Sequence, residues 1–225
     1  MSDKRARISS DRYWDEKHPK AEITYAGRPL PGRGENYKMD VRRFIWADDV
    51  VLWKWLERAE GVTQANNVGG DVLARAVQSY IRAAITYTSD STVTTGTPEF
   101  WQFPVETVKR MRGDCEDGAI LIVSILRMLG IPAGRIRVAA GMVLDQRGGL
   151  GGHAWACYRR YTDEEWIPLD WCYHADSHVE IATRKPLRER AEYQHGNDIW
   201  FSFNDYFAWS HKRTQSVSGR VRTSL

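Results

Sequence analysis

Apolar positions at helical spacing predict three amphipathic helices in the first half of the chain. The first follows Asp48, a suitable N-cap residue, and ends before Gly61. The second covers residues 71–84 with an unbroken apolar stripe. Pro104 suits a first helical turn and begins a third, short helix that extends to about Met111. These stripes indicate core packing rather than binding surfaces.

A fourth helix is predicted from Cys115 to Leu129, and it differs from the others because it is apolar nearly all round. Such a helix is buried on every side. Gly130 ends it and Pro132 stands just beyond, as is common after helix C-termini. We therefore expect this segment to be the central helix of the core.

Alternating apolar positions replace the helical spacing after residue 135. Residues 136–142, 153–158 and 166–171 predict three strands. The glycine-rich stretch 148–152 predicts a connection that is either a plain hairpin or a mobile flap over a cleft. Helices followed by an antiparallel sheet predict an α+β fold, with the Cys115 helix packed across the sheet.

The two ends of the chain lack this periodicity. Residues 1–40 predict an extended arm with one short strand at 22–25, and residues 41–185 predict the core. Residues 186–225 predict an aromatic extension and a basic tail, in which the aromatic stretch 199–209 either covers an edge of the core, the favoured interpretation, or walls a cleft. Ends of this kind fit docking into a larger protein assembly.

Composition excludes several classes of protein. The 225 residues are 42% hydrophobic and 27% charged, and the formal net charge of +3 gives no case for nucleic-acid binding. No stretch approaches the roughly 20 apolar residues of a membrane span, and the polar N-terminus lacks the apolar segment of a signal peptide. Three cysteines agree with free thiols. We expect a cytoplasmic protein that binds neither nucleic acid nor membrane, with a virion as the alternative location.

Cys115, His153 and Asp170 form the most informative chemical pattern. A thiol at the start of a helix, followed by a histidine and an aspartate on later strands, is the arrangement that cysteine nucleophiles use. The helix dipole and an imidazolium lower a thiol pKa from about 8.5 to roughly 3.5–7.5. Glu116 and Asp117 oppose this effect because adjacent negative charge raises the pKa. We therefore expect a thiolate paired with His153 rather than a free anion.

The other cysteines raise the question of a metal site. His153-x-x-x-Cys157 and Cys172-x-His174 would supply four ligands on neighbouring strands, but neither pair has the usual spacing of a structural zinc site. We expect no metal and no cofactor, and we interpret Cys157 and Cys172 as core or rim residues of the sheet.

Five motifs in sequence order resemble the core of the transglutaminase-like superfamily. They are Trp101-x-x-Pro104-x-Glu106-Thr107, Gly113-Asp114-Cys115-Glu116-Asp117, Leu129-Gly130-Ile131-Pro132, Gly152-His153-Ala154-Trp155 and Trp166-x-x-Leu169-Asp170. The resemblance spans residues 70–172 and implies a papain-like core. It implies Cys115 as nucleophile, His153 as base and Asp170 as orienting acid. For the oxyanion and substrate it implies the Cys115 backbone N–H, a group near Trp101 or Gln102, and Trp155.

Two classes of function remain open. An enzyme would attack an amide carbonyl of a peptide or protein, form a thioester at Cys115, and pass the acyl group to water or to an amine. A docking or structural module, such as a phage-particle component, would keep the fold without the chemistry. The intact Cys-His-Asp set favours the enzyme. Hydrolysis of a peptide or isopeptide bond is favoured over glutamine acyl transfer, because animal crosslinking members of the family use calcium-binding segments and β domains that this chain is too short to hold.

Overall fold

The computed structural model describes Trp14 and residues 19–29, 36–90, 99–144, 148–173, 176–191, 193–196, 198–210 and 216–217. Its helices are α1 (Val50–Leu56), α2 (Glu60–Asn66), α3 (Gly70–Ala84), α4 (Pro104–Arg110) and α5 (Cys115–Met128). Its strands are β1 (Thr24–Pro29), β2 (Asn36–Asp40), β3 (Thr86–Tyr87), β4 (Arg112–Gly113), β5 (Ile136–Leu144), β6 (Leu150–Arg159), β7 (Trp166–Leu169), β8 (Ile199–Phe203), β9 (Ala208–Ser210) and β10 (Ser216–Val217). Short 3-10 turns cover Val41–Phe44, Ala133–Arg135, Ile181–Thr183 and Leu187–Glu189.

Where the sequence predicted one first helix, the structure has two, α1 and α2. Asp49 rather than Asp48 caps α1, since its carboxylate accepts hydrogen bonds from the backbone N–H groups of Val51 at 2.8 Å and Leu52 at 3.1 Å. Gly61 does not end a helix but lies inside α2, where the space beside its Cα is open. The described helices include none with the length and hydropathy needed to cross a bilayer.

Helix α5 is the central element, as the sequence predicted. Residues 116–126 are all buried, because the helix is apolar on every side and packs against β5, β6 and α3. Gly130 follows it with a φ of 91°, a left-handed conformation that favours glycine. The predicted α+β arrangement, with the Cys115 helix packed on an antiparallel sheet, is therefore confirmed.

The central sheet has five antiparallel strands in the order β7-β6-β5-β8-β9. Leu144 of β5 pairs with Leu150 of β6, and the register continues with Val143 opposite Gly151. The glycine-rich stretch therefore enters a hairpin strand rather than a separate flap, while residues 145–147 lie outside the described residues. The aromatic stretch 199–209 supplies β8 and β9, so it extends the core sheet.

A buried arginine connects three tryptophans on the outer face of this sheet. Arg137 of β5 is fully buried, and its guanidinium lies 3.9 Å from the ring centroid of Trp209, 4.5 Å from that of Trp14 and 4.6 Å from that of Trp166. Cation–π contacts of this kind compensate for part of the desolvation of the charge. Trp14 from the predicted arm is thereby held against β5, β7 and β9.

The predicted arm and tail contribute a small second sheet. β1 and β2 pair antiparallel, and β10 pairs with β1 in parallel. The short strand expected at residues 22–25 overlaps β1, which runs from Thr24. Residues 211–215 and 218–225 of the basic tail lie outside the described residues.

Candidate active site

His153 and Asp170 are in direct contact. His153 Nε2 lies 2.7 Å from Asp170 Oδ2, and the two side chains are 3% and 0% exposed. Antiparallel pairing of β6 with β7 places Ala156 opposite Leu169, so Asp170 emerges from β7 beside the early part of β6. A proton on Nε2 satisfies this contact and leaves Nδ1 as the basic nitrogen of His153.

Cys115 is the first residue of α5 and lies at the same place. A backbone hydrogen bond from Ala154, the residue after His153, reaches the Cys115 thiol. The thiol itself donates to Glu116 Oε2 at 3.3 Å. The structure thus brings the three predicted catalytic residues together, with the thiol resting on Glu116 rather than on His153.

The charge around Cys115 opposes ionisation of the thiol. Burial raises the pKa of Cys115 well above its ordinary value, and the charge of Asp114 and the proximity of Cys172 raise it further. The backbone hydrogen bond from Ala154 lowers the pKa and offsets part of this effect. These effects favour the neutral thiol, which donates to Glu116 in this conformation.

Asp170 is held as an anion by its neighbours. Burial would raise its pKa, but the charge of His153 and the hydrogen bonds from His153 and His195 hold the pKa well below its ordinary value. Its second oxygen, Oδ1, accepts from the backbone N–H groups of Cys172 at 3.0 Å and Tyr173 at 3.3 Å. A carboxylate with this many donors has a fixed orientation.

A cleft of about 330 Å³ is lined by residues that contact Cys115 and His153. Its walls are Arg82, Ile85, Tyr87, Trp171, Cys172 and Tyr173. The indole Nε1 of Trp171 donates to the carbonyl of Cys115 at 3.2 Å, and the ring of Tyr173 lies 5.3 Å from that of His153. The cleft therefore has largely aromatic walls, two of which also contact Cys115 and His153.

The residues expected near the oxyanion have other partners. Gln102 is 1% exposed, and its side-chain amide donates to Asp117 and to the carbonyl of Arg112, the latter at 3.3 Å. Its backbone N–H also donates to Asp117 Oδ1 at 2.7 Å. Trp101 is 5% exposed and stacks on Tyr25 at 4.8 Å. Both side chains therefore fasten the segment before α4 to the core and lie outside the cleft walls.

Trp155 lies behind the histidines rather than in the cleft. It is fully buried in the aromatic cluster on the outer face of the sheet. Its ring lies 5.9 Å from that of His153 and 4.9 Å from that of His195. Its position fits support of the imidazoles rather than substrate contact.

The described residues of the considered zinc set do not converge. Cys157 is fully buried among apolar residues of the outer face, whereas Cys172 borders the cleft. His174 lies outside the described residues. Three ligand atoms of His153, Asp170 and His195 lie within 4.8 Å of one another, and their distances of 2.7 and 2.9 Å are those of direct hydrogen bonds.

A cluster of carboxylates surrounds the first turn of α5. Asp90, Asp114 and Asp117 have oxygens within 4.8 Å of one another, and so do Asp90, Glu99 and Glu116. Burial and the charge of Asp114 raise the pKa of Asp90 and of Glu99 to about 7 each. The carboxyls of Asp114 and Glu116 hydrogen-bond to each other, and burial together with neighbouring charge raises the pKa of both. The cluster thus concentrates negative charge that protons or a cation must balance.

The sequence motifs did not identify several residues of the site. His195 and Tyr87 belong to none of the motifs, and Asp90 and Glu99 lie on segments well before Cys115. Tertiary folding brings them to the site, so neither periodicity nor spacing carries a signal for them.

Several solved structures resemble this chain at low sequence identity. Among solved structures, Legionella pneumophila LapG is 18% identical, with a TM-score of 0.48 over 71% of this chain and 87% of that chain. A calcium-bound form of LapG is 20% identical, with a TM-score of 0.45 over 71% of this chain and 91% of that chain. A candidate cysteine protease from Cytophaga hutchinsonii is 24% identical, with a TM-score of 0.34 over 44% of this chain and 30% of that chain. No curated protein matched.

The family model gives the assignment directly. The model of the transglutaminase-like superfamily matches residues 57–171, slightly more than half of the chain, and this range contains Cys115, His153 and Asp170. The chain belongs to the transglutaminase-like superfamily.

Proposed function

We propose that the protein is a cysteine-nucleophile enzyme that hydrolyses a peptide or isopeptide amide bond through a thioester at Cys115. The supporting observation is the contact of 2.7 Å between His153 and Asp170, next to a thiol at the start of α5 and beside a cleft. A packing role alone does not require a buried, ionised carboxylate directed at a histidine.

The reaction begins when the Cys115 thiol turns from Glu116 to His153. Its proton passes to Nδ1 of His153 as sulfur bonds to the amide carbon, and the carbonyl π pair moves to oxygen. The tetrahedral intermediate then breaks its C–N bond, and the imidazolium gives its proton to the leaving amine. Water then gives a proton to the same imidazole as its oxygen bonds to the thioester carbon. The second tetrahedral intermediate breaks its C–S bond, the imidazolium returns its proton to sulfur, and the acid leaves. Asp170 holds the imidazole in the required tautomer throughout.

The backbone N–H of Cys115 is our proposed donor to the oxyanion. The first N–H groups of a helix have no intrahelical acceptor, and Cys115 is the first residue of α5. A developing negative charge at this position also gains from the helix dipole. The aromatic walls formed by Tyr87, Trp171 and Tyr173 would hold the chain of the substrate on the other side of the thiol.

Mass spectrometry of a peptide mixture incubated with the protein tests this proposal. Hydrolysis adds water to the products, whereas transfer in the presence of a primary amine adds the amine to the acyl fragment. We expect hydrolysis products in the intact protein and none in Cys115→Ala. Amine adducts as the main product would replace hydrolysis with glutamine acyl transfer. An unchanged mixture, with no acyl-enzyme at Cys115, would favour the docking module.

We also propose, in place of the earlier expectation of no metal, that a hard divalent cation, with calcium as the best fit, binds the carboxylate cluster. The donor set consists of oxygens alone, which suits calcium rather than zinc. Asp114 and Glu116 are buried and their carboxyls hydrogen-bond to each other, so a cation bound between them would replace the proton that this contact requires. Bound there, the cation would balance the charge that raises the pKa of the neighbouring thiol, while Asp90 and Glu99 would complete its coordination.

A further inference from the structure

Two histidines contact the carboxylate of Asp170. His195 Nε2 lies 2.9 Å from Oδ2, the same oxygen that His153 contacts at 2.7 Å. We propose that His195 is a positioning residue, which donates its Nε2–H to Asp170 and so fixes the carboxylate that orients His153. This inference rests on the proposed roles of Cys115, His153 and Asp170 and adds a fourth side chain to them.

The chain reaches this position through a constrained turn. His195 has a φ of 68° and Tyr193 a φ of 57°, both in the left-handed region that residues other than glycine seldom adopt. The backbone N–H of Leu144 donates to the carbonyl of Tyr193 at 2.9 Å, which ties the turn to β5. A Cβ on Gly196 would lie 2.2 Å from the carbonyl oxygen of Leu187, so glycine permits the close approach. Backbone strain held in place by packing often accompanies a functional side chain.

The ring of His195 is also held in one orientation. It meets the indole of Trp155 edge to face, with centroids 4.9 Å apart and planes at 89°. His195 is 1% exposed and Trp155 is fully buried, so the ring has little room to turn. This packing directs Nε2 at Asp170 and gives Trp155 a role in support of the site.

Each oxygen of Asp170 accepts at least one hydrogen bond, and His195 donates to Oδ2, the oxygen that also contacts His153. Oδ1 accepts from the backbone of Cys172 and Tyr173. The carbonyl oxygen accepts from Gln78 Nε2 at 2.5 Å, and Gln78 Oε1 in turn accepts from Arg184 at 2.7 Å. Oδ2 faces His153, so a second donor on Oδ2 restricts the direction in which it can accept from His153.

The charges around His195 suit a neutral donor. Burial lowers its pKa, and the hydrogen bond and charge of Asp170 offset only part of that effect, while His153 and Arg190 lower it further. A neutral His195 still donates through Nε2–H. In the proposed mechanism, His153 takes the proton of the thiol and becomes an imidazolium beside the Asp170 carboxylate. Because His195 is neutral, it does not repel this new positive charge.

Alkylation of Cys115 by iodoacetamide tests the role without any substrate. His195→Phe keeps an aromatic ring but removes the donor, whereas His195→Gln places an amide N–H near the position of Nε2. We expect His195→Phe to slow alkylation at pH 7 by about tenfold, because a misoriented base forms the ion pair less often. His195→Gln should recover to within about threefold of the unchanged protein. His178→Gln, which alters an exposed histidine, should have no effect.

Nitrogen NMR of the unchanged protein gives a second, independent measurement. The proposal requires a neutral His195 ring with its proton on Nε2 at pH 7. A ring protonated on Nδ1 would overturn it even if His195→Phe failed to fold. Equal alkylation rates in folded His195→Phe, His195→Gln and the unchanged protein would overturn it as well. Absence of peptide hydrolysis together with the expected alkylation pattern would count against the reaction proposed above and leave the positioning role supported.

Discussion

At the scale of single residues, the site combines two groups with opposite environments. The Asp170 carboxyl is kept ionised, whereas ionisation of the Cys115 thiol is opposed. Asp170 keeps its charge in a buried place because two imidazoles contact it. Cys115 has the opposite environment, since burial and Asp114 both raise its pKa. In the proposed mechanism the imidazole of His153 takes the proton of the thiol, so ionisation of Cys115 would depend on how well Asp170 orients that ring.

Asp170→Asn should lower the turnover of peptide hydrolysis by roughly 10²–10⁴-fold, because an amide cannot stabilise the imidazolium and can select the wrong tautomer of His153. Asn keeps an acceptor for the N–H groups of Cys172 and Tyr173, so the backbone of residues 170–173 should be less disturbed than in Asp170→Ala. Steady-state kinetics and circular dichroism of both variants provide the check. Full activity in folded Asp170→Asn would refute the orienting role.

Iodoacetamide should modify Cys115 faster than Cys157 or Cys172, because Cys115 can give its proton to His153 in the proposed mechanism. Cys157 is fully buried, and burial and the Asp170 carboxylate, which the Cys172 thiol contacts, raise the pKa of Cys172. Asp114→Asn should accelerate the modification of Cys115 by about threefold to tenfold at pH 7 in EDTA, since removing this charge lowers the pKa of the thiol. Peptide mapping by mass spectrometry measures each site, and Glu57→Gln on the surface is the control. Equal labelling of the three thiols would contradict the assignment of the nucleophile.

At the scale of elements, the spacing of apolar residues along the chain predicted helices and strands whose formation depends mainly on neighbouring residues. The continuous apolar pattern from Cys115 was sufficient to predict α5, and the alternating pattern after residue 135 predicted three of the five strands in the sheet it covers. The break expected at Gly61 was wrong, because burial of Val62 and Ala65 outweighs the weak helix propensity of one glycine. Motif residues such as Cys115, His153 and Asp170 could be found from sequence. His195 could not, because a turn before β8 carries it to Asp170 only in the folded chain.

The packing of Trp171 against α5 gives a prediction at this scale. A Cβ on Gly118 would lie 2.2 Å from two atoms of the Trp171 indole, whose Nε1 donates to the Cys115 carbonyl. Gly118→Ala should therefore displace the indole, lower kcat/KM and cost about 1–3 kcal/mol in the free energy of unfolding. Gly61→Ala in α2, with open space around it, should instead stabilise by about 0.5–1 kcal/mol. Urea denaturation of both variants distinguishes them, and equal stability of the two would mean that the contact is absent.

At the scale of the whole molecule, the carboxylate cluster connects the stability of the fold to the chemistry of the thiol. Asp90 and Glu99 precede α4, whereas Asp114 and Glu116 flank Cys115, so the cluster joins distant segments of the chain. Mutual repulsion at this junction destabilises the folded state whenever all carboxyls are ionised. A cation that removes the repulsion would therefore stabilise the fold and prepare the thiol through the same contacts.

The pH dependence of stability tests this connection. Asp90 and Glu99 have pKa values of about 7 in the folded protein, above their ordinary values of 3.8 and 4.5. Because the folded state binds protons more tightly, the stability from these groups is fully present below about pH 4 and is lost as the pH rises to about 7. In EDTA, we expect the Tm to fall between about pH 5 and pH 8 and millimolar calcium to restore much of the loss at the higher pH.

Asp90→Asn removes one charge of the cluster and separates this explanation from a general effect of pH. It should raise the Tm at pH 8 in EDTA, by about 2–4 °C for each kcal/mol of repulsion removed, and it should reduce the shift caused by calcium. Glu57→Gln, an exposed carboxylate outside the cluster, should leave both values unchanged. Differential scanning calorimetry measures both quantities. A calcium shift as large in Asp90→Asn as in the unchanged protein would show that the cation binds elsewhere, and no dependence on pH in EDTA would show that the cluster carries no repulsion.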